Sequence, residues 1–432
     1  MRDVYVVAAG MTPFGRHYDD GVKSLVGKAL EATFKDSPVQ KDALEAAWFS
    51  NSGWGIGSME PGSLPWIAQP CIRGQVALAP NGIDAIPIIN VENACASGST
   101  AFNNAYMGVG SGMYDVALAI GAEKMTPPKD APESVKKSAL GNMLAGTDVE
   151  VMAAAMESIR AAAAKKREEA IARGEVDTRK KQRKERSPFM DFYSAMARGH
   201  MDQYGTTVEQ IAAIAAKNHN QGALNPYAQY RFKMTVEQVL ADDEVSFPLT
   251  RAMCSPTGDG AAAAILVSGE YLKKLGASVK PVKVRASVLG SSRMTTSGAE
   301  RAKELATLAY EKAGVAPEDI DMAEVHDATA VGELLQYENL LLCPEGEGGR
   351  FAESGASALG GKCPVNPCGG LESKGHPIGA TGLAMVAECF WQLRGEAGDR
   401  QVEGARLAMI ENGGGFLGMG EAAIVMNILE AG

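Results

Sequence analysis

Four short stretches put residues capable of covalent or proton-transfer chemistry next to apolar segments. Asn93-Ala94-Cys95-Ala96-Ser97-Gly98 follows the run Ile86-Pro87-Ile88-Ile89-Asn90-Val91 and precedes an Ala/Gly-rich helical pattern. A thiol there meets the free N–H groups of a helix start, which favour the thiolate, and its small neighbours admit a large electrophile. The other reading is a packed core cysteine, because free cysteine is among the most buried residue types. Gly375-His376-Pro377-Ile378-Gly379-Ala380-Thr381-Gly382 offers a base, held between glycines and followed by a proline that restricts the backbone. Its glycines would also suit a phosphate, but the spacing is neither that of a dinucleotide site nor that of a P-loop. His326-Asp327 closes the segment Ala323-Glu324-Val325, at the kind of strand end where α/β sites form. The same pair would serve equally as a satisfied surface group. Glu411-Asn412-Gly413-Gly414-Gly415 ends another strand pattern. Its backbone N–H groups, Gly413 among them, fit an oxyanion hole or a tight turn.

The elements that must hold these groups follow one order twice. The first half reads as a strand at Val4–Ala9, a helix with apolar spacing at Leu25, Ala29, Ala32 and Phe34, the strand leading to Cys95, a helix, and a strand at Val116–Gly121. The second begins at Val282–Ala286, continues through a helix around Glu304 to Lys312 and the strand ending at His326, and reaches the helix after His376. It closes with strands near Leu407–Ile410 and Ala422–Ile428. Strands alternating with helices predict an α/β fold, and the shared order predicts a duplicated domain. Between the halves, residues 149–186 are Ala-rich and then strongly charged, as in Arg179-Lys180-Lys181-Gln182-Arg183-Lys184-Glu185-Arg186. High helix propensity with interleaved charge predicts a solvated helix, a phosphate-steering element or a docking surface.

Composition narrows the class. A chain of 432 residues exceeds one ordinary core, so two or three domains are expected. No apolar run reaches the roughly 18 residues of a membrane helix, and the start lacks a signal-peptide pattern; a cytoplasmic location is expected. Seven cysteines, an odd set, argue against a disulfide framework. Cys363 and Cys368 find no second pair with which to hold zinc, so no metal is expected. A net charge of −10 argues against nucleic acid, and an anionic substrate would need a locally basic entrance.

Together these segments resemble the thiolase superfamily, most closely its sterol-carrier-protein type. The resemblance rests on Asn-Ala-Cys-Ala-Ser-Gly at 93–98, Ser-Pro-Thr-Gly-Asp-Gly at 255–260, His-Asp at 326–327, and Asn366-Pro367-x-Gly369-Gly370 running into the 375–382 motif. It implies an α/β thiolase fold with two five-stranded half-domains in α-β-α-β-α layers, an inserted loop domain and tight homodimers. The expected boundaries are 1–125 with 246–275 for the first half, 126–245 for the loop domain and 276–432 for the second half. It also implies that His376 takes the Cys95 proton and the thiolate attacks a β-ketoacyl thioester. Backbone N–H groups of Cys95 and Gly413 would hold the oxyanion, and His326 with His376 would polarise the departing thioester enolate. Coenzyme A then accepts the acyl group as a co-substrate; no bound cofactor is expected.

The chain departs from the family at its second acid/base. Glu411 stands where many thiolases open the last Gly-rich motif with cysteine, and Ala328 where sterol-carrier-type relatives follow His-Asp with cysteine. Glu411 is the expected substitute if an apolar site raises its pKa, with Cys368 as the second candidate. The change suggests a bulky or unusual acyl group. A related group of thiolase-like subunits, benzoylsuccinyl-CoA thiolase among them, works with a small zinc-ribbon/oligonucleotide-binding-barrel partner, which is therefore a candidate partner here. Two other functions stay open: retro-aldol cleavage of a β-hydroxyacyl thioester, and a non-catalytic scaffold.

Overall fold

The computed structural model of the chain describes residues 1–53, 71–129, 189–293, 298–417 and 420–432, with isolated positions between them. Most of the charged stretch at 149–186 lies outside the described residues; Glu157, Lys165 and Glu169 within it are helical and exposed.

Among the described residues nine strands form one hydrogen-bonded sheet. They are β1 (Val4–Met11), β2 (Ala46–Ser50), β3 (Ile88–Val91), β4 (Val116–Glu123), β7 (Gly260–Ser268), β8 (Val282–Ser291), β9 (Met322–Glu324), β10 (Leu407–Leu417) and β11 (Gly420–Ala431). The short strands β5 (Glu244–Ser246) and β6 (Leu249–Thr250) pair separately. The main order is β3-β2-β4-β7-β1-β8-β11-β10-β9. The two halves meet where β1 and β8 pair through only Tyr5–Lys283 and Val6–Val282. On either side of that seam the pattern is the same. β2 is parallel to β3 and β4, as β9 is to β10; β7 is antiparallel to its neighbours, as is β11.

The duplication is unequal at its far edge. The first half supplies five strands; among the described residues the second supplies four, and the fifth place holds only an isolated parallel bridge between Ala323 and Val365. Pro364 and Pro367 flank that bridge without N–H groups to give a ladder, which stops it from growing. A second difference concerns β10. Its glycines do not end the strand, which continues to Leu417 in register with β11.

Side-chain alternation sorts the core into layers. Along β7, Ala262, Ala264 and Leu266 face one cluster while Ala261, Ala263, Ile265 and Val267 face another; Ala117 and Ala119 of β4 alternate with Val116, Leu118 and Ile120 in the same way. The first cluster holds the helices Ser97–Gly110 and Ile378–Arg394 in the middle of the molecule. The alanines facing them let those helices lie close to the sheet. In Ile378–Arg394 every residue but Trp391 and Arg394 is buried, as its nearly unbroken apolar sequence requires. Helix Val22–Lys35 covers the outer face of the first half, and Gly298–Ala313 and Ala330–Asn339 cover that of the second. The result is the α-β-α-β-α layering that the thiolase resemblance implies.

Candidate active site

Cys95 and His376 occupy equivalent places in the two halves, each just before one of the two central helices. Two glycines set how closely those helices meet. A Cβ on Gly98 would lie 3.0 Å from the backbone nitrogens of Gly382 and Leu383, and one on Gly382 would lie 2.3 Å from the nitrogen of Ser99. The glycines that could have cradled a phosphate are thus spent on backbone approach. That approach puts Cys95 Sγ 3.2 Å from His376 Nε2.

The histidine's tautomer follows from its other side. Thr381 Oγ1 donates to the Pro377 carbonyl at 3.1 Å, so its oxygen accepts from His376 Nδ1–H at 2.7 Å. Nε2 is left as the acceptor for the thiol proton. The sequence contained Thr381 within the motif, but its role needs the helical turn that brings residue 381 back to residue 376. Cys95 itself sits on a tight turn. Ala94 adopts a left-handed φ of 48°, fixed by its N–H donating to Glu92 Oε1 at 2.6 Å and by Ser97 Oγ donating to the Ala94 carbonyl at 2.6 Å. Burial opposes ionisation of the Cys95 thiol, but the charge of His376 and the nearness of His326 outweigh it and lower the pKa to about 5. Cys95 is partly exposed, not a packed core cysteine.

His326 leaves the end of β9 and is buried, which removes the surface-group reading. One ring nitrogen and the Cys95 sulfur lie within 4.8 Å of each other, and the His326 and His376 ring centroids are 5.3 Å apart. A thiolate and two imidazoles are also zinc donors in kind; here the direct Cys95–His376 hydrogen bond gives them proton transfer to do. On its other flank, His326 Nδ1 lies 3.5 Å from Glu421 Oε1. Burial disfavours the imidazolium, yet hydrogen-bonding and charge interactions with Cys95 and Glu421 raise the His326 pKa well above its usual value.

Asp327 ties this strand end to the His376 loop. Its Oδ1 accepts the Leu371 N–H at 2.8 Å, and Asn366 Oδ1 accepts the Val325 N–H at 2.8 Å. Asn218 donates to Asp327, Glu333 and Glu372, so the buried carboxyl cluster behind the site is a hydrogen-bonded brace.

Beside these groups lies a cleft bounded by Tyr193, Met196, Leu335, Phe416, His326 and Glu421. Phe416 packs with Phe192 at 4.4 Å and Phe189 at 5.5 Å between ring centroids, giving the cleft an aromatic wall.

The matches to known proteins agree with this geometry. The family description "Thiolase, N-terminal domain" covers residues 4–247 and "Thiolase C-terminal domain-like" covers 285–427. The chain belongs to the thiolase family. An acetyl-CoA acetyltransferase of Methanothermobacter thermautotrophicus is 36% identical, over 96% of this chain and 97% of its own length. Human sterol carrier protein 2 is 37% identical over 98% of this chain and 71% of its length. Benzoylsuccinyl-CoA thiolase subunit BbsB of Thauera aromatica is 34% identical, over 96% of this chain and 95% of its length. Among solved structures, an Ltp2-ChsH2(DUF35) aldolase aligns over 99% of this chain with a TM-score of 0.72 and 18% identity. Human mitochondrial 3-ketoacyl-CoA thiolase aligns over 100% with 0.67 and 18%; both are likenesses of fold. The protein is an acyltransferase of thiolase type.

Within this thiolase, Glu411 is fully buried on β10, one residue past the last β9–β10 pair, Ile410–Glu324. Its Oε2 accepts the His326 backbone N–H at 3.0 Å, while Oε1 has no partner. Burial, reinforced by the charge of Glu421, pushes its carboxyl well above the usual carboxylate range. Cys368 is elsewhere engaged: its thiol donates to Glu324 Oε2 at 2.9 Å, and burial and Glu324 push its pKa well up. Gly413 lies on β10 opposite Ile424, and the Glu421 carboxyl covers its α carbon. The next residue packs on the nucleophile turn, where a Cβ on Gly414 would meet Asn93 O at 2.2 Å and Ala96 N at 2.3 Å. Glu421 is the group that sequence reasoning missed; it follows a run of glycines and a methionine and matches no motif.

Proposed function

We propose that this thiolase cleaves a β-ketoacyl-CoA with coenzyme A, or runs the reverse condensation, through an acyl-Cys95 intermediate on a bulky, apolar acyl group. The observation that carries the reading is the 3.2 Å approach of Cys95 Sγ to a His376 ring whose far nitrogen is pinned by Thr381. Nε2 accepts the thiol proton, and the thiolate attacks the keto carbon. Backbone N–H groups at Cys95 and Gly413 hold the oxyanion. His376 and His326 polarise the thioester oxygen of the departing enolate, and the buried Glu411 carboxyl holds the proton that this enolate needs. The aromatic wall beside His326 supports a bulky acyl group.

A homodimer fits the exposed edge strand β3, where Ile89 is 36% accessible. A small zinc-ribbon/oligonucleotide-binding-barrel partner is supported by the relative named as a BbsB subunit and by the DUF35-containing fold neighbour. Among the described residues no helix is long and apolar enough to cross a membrane; the chain is proposed to act in the cytoplasm.

Retro-aldol cleavage needs no acyl-cysteine and would leave the Cys95–His376 pair without a task. Cleavage assays on straight-chain and aryl β-ketoacyl-CoA and β-hydroxyacyl-CoA, with and without coenzyme A, separate the readings. Cleavage of the keto substrates that depends on coenzyme A is expected. Cleavage of hydroxy substrates without coenzyme A would overturn thiolysis, and no cleavage at all would leave the scaffold reading.

A further inference from the structure

Two carboxyl groups, not one, stand beside His326. Glu411 and Gly413 are two residues apart on β10, so their side-chain directions share one face about 7 Å apart along the strand. Gly413 has no side chain, and its place is taken. A Cβ built there would lie 1.8, 2.0 and 2.4 Å from Oε1, Cδ and Oε2 of Glu421. Glu421 therefore reaches across from β11 and sets its carboxyl in the side-chain position next to Glu411. The same carboxyl lies 3.5 Å from His326 Nδ1, while Glu411 binds the backbone N–H of that histidine.

The two acids differ in access. Glu411 is 0% exposed. The Glu421 side chain is 19% exposed and, with His326, lines the cleft. A proton held on Glu411 can reach a substrate in that cleft only through a group that faces it.

We infer that Glu421 hands the proton to the departing enolate and collects it from coenzyme A, with Glu411 behind it as a positioning residue that shares and retains that proton. This inference rests on the acyl-Cys95 reading. In the first half-reaction the two carboxyls hold one proton. As the Cα–Cβ bond breaks, its electron pair stays on the α carbon of the enolate, and the Glu421 O–H bond gives that carbon its proton. In the second half-reaction the coenzyme A thiol passes its proton to Glu421 as its sulfur attacks the acyl carbonyl. The Cys95–acyl bond breaks and its electron pair returns to the Cys95 sulfur. The net transfer is one proton from coenzyme A to the released thioester, with no further reactant.

The test reads α-proton exchange of acetyl-CoA in D2O by NMR, beside cleavage of the β-ketoacyl-CoA panel. Glu421→Gln should slow both by on the order of 10²-fold or more, while iodoacetamide alkylates Cys95 within about twofold of the parent rate. Formate should restore exchange in Glu421→Gly, a rescue that a merely structural role cannot produce. Should Glu421→Gln not fold, Glu421→Asp replaces it, with a loss on the order of tenfold to a hundredfold expected from the shortened reach. Parent-rate exchange in the folded variant, or an equal fall in exchange and Cys95 alkylation without formate rescue, overturns the inference. Failure of the parent protein to form acyl-Cys95 would instead remove the thiolysis reading and the inference with it.

Discussion

Each half of the molecule buries a glutamate on its central strand, Glu123 on β4 and Glu411 on β10, and the two have opposite surroundings. In the first half, Glu123 at the end of β4 accepts the backbone N–H groups of Ser52 at 2.8 Å, Gly379 at 3.1 Å and Gly53 at 3.2 Å, and the Asn51 amide at 2.9 Å. Burial raises its pKa to about 7 against those donors. In the second half, Glu411 on β10 has one backbone donor, a partnerless oxygen and a neighbouring carboxylate. Four donors make Glu123 a structural clasp, joining the chain after β2 to the start of the His376 helix. One donor fits the proposed role of Glu411 in holding a proton. The two halves thus carry the same device, and in the proposed mechanism the number of N–H groups around each carboxyl decides whether it serves the fold or the chemistry.

The comparison can be broken by substitution. The largest effect is expected at His376, which in the proposed mechanism takes the thiol proton and polarises the enolate oxygen. His376→Ala should lower turnover by on the order of 10² to 10⁴. It should also move the midpoint of Cys95 alkylation against pH. In the parent protein the thiolate forms above about 5, so alkylation should be nearly pH-independent by neutrality; in the variant the midpoint should rise towards an ordinary thiol near about 8.5. An unmoved midpoint would make His376 a binding residue.

Glu411→Gln keeps size and polarity but removes the proton. Carbon–carbon cleavage should slow by on the order of 10²-fold, with Cys95 alkylation preserved; the parent rate and pH profile would end its role. Thr381→Val removes the acceptor that fixes the His376 tautomer, and a fall on the order of tenfold in kcat is expected with KM little changed. Glu123→Gln should do the reverse of Glu411→Gln. An amide facing four donors should cost about 1–3 kcal/mol of stability in denaturant unfolding, while turnover per folded molecule stays within about twofold. Equal effects of the two Glu→Gln changes on turnover would dissolve the contrast.

The sequence made the fold and the Cys95–His376 pair legible because both lie in local patterns. The unbroken apolar run of β4, the Ala-rich helices and the glycine motif at 375–382 are contiguous signals. His326 and Glu411 were legible by position, each at a strand pattern followed by a loop. The remainder depends on tertiary approach. Thr381 acts through a helical turn, Asp327 through a backbone N–H contributed by Leu371, and Glu421 through a vacancy left by Gly413 on the neighbouring strand. Among the described residues the second half's fifth place stays a single bridge, and this depends on two prolines whose effect appears only beside a partner strand. The three glycines expected at a strand end are instead interior: Gly414 lies against the backbone of Asn93 and Ala96, and the Gly413 side-chain place is filled by the Glu421 carboxyl.

The central claim is that Cys95 carries the acyl group. Intact-mass measurement of the quenched protein after addition of a β-ketoacyl-CoA without coenzyme A, followed by peptide mapping, tests it most directly. An added acyl mass is expected on the Cys95 peptide, discharged by coenzyme A and lost in Cys95→Ala together with cleavage. Full cleavage by Cys95→Ala, or turnover with no adduct on that peptide under any quench, would contradict it.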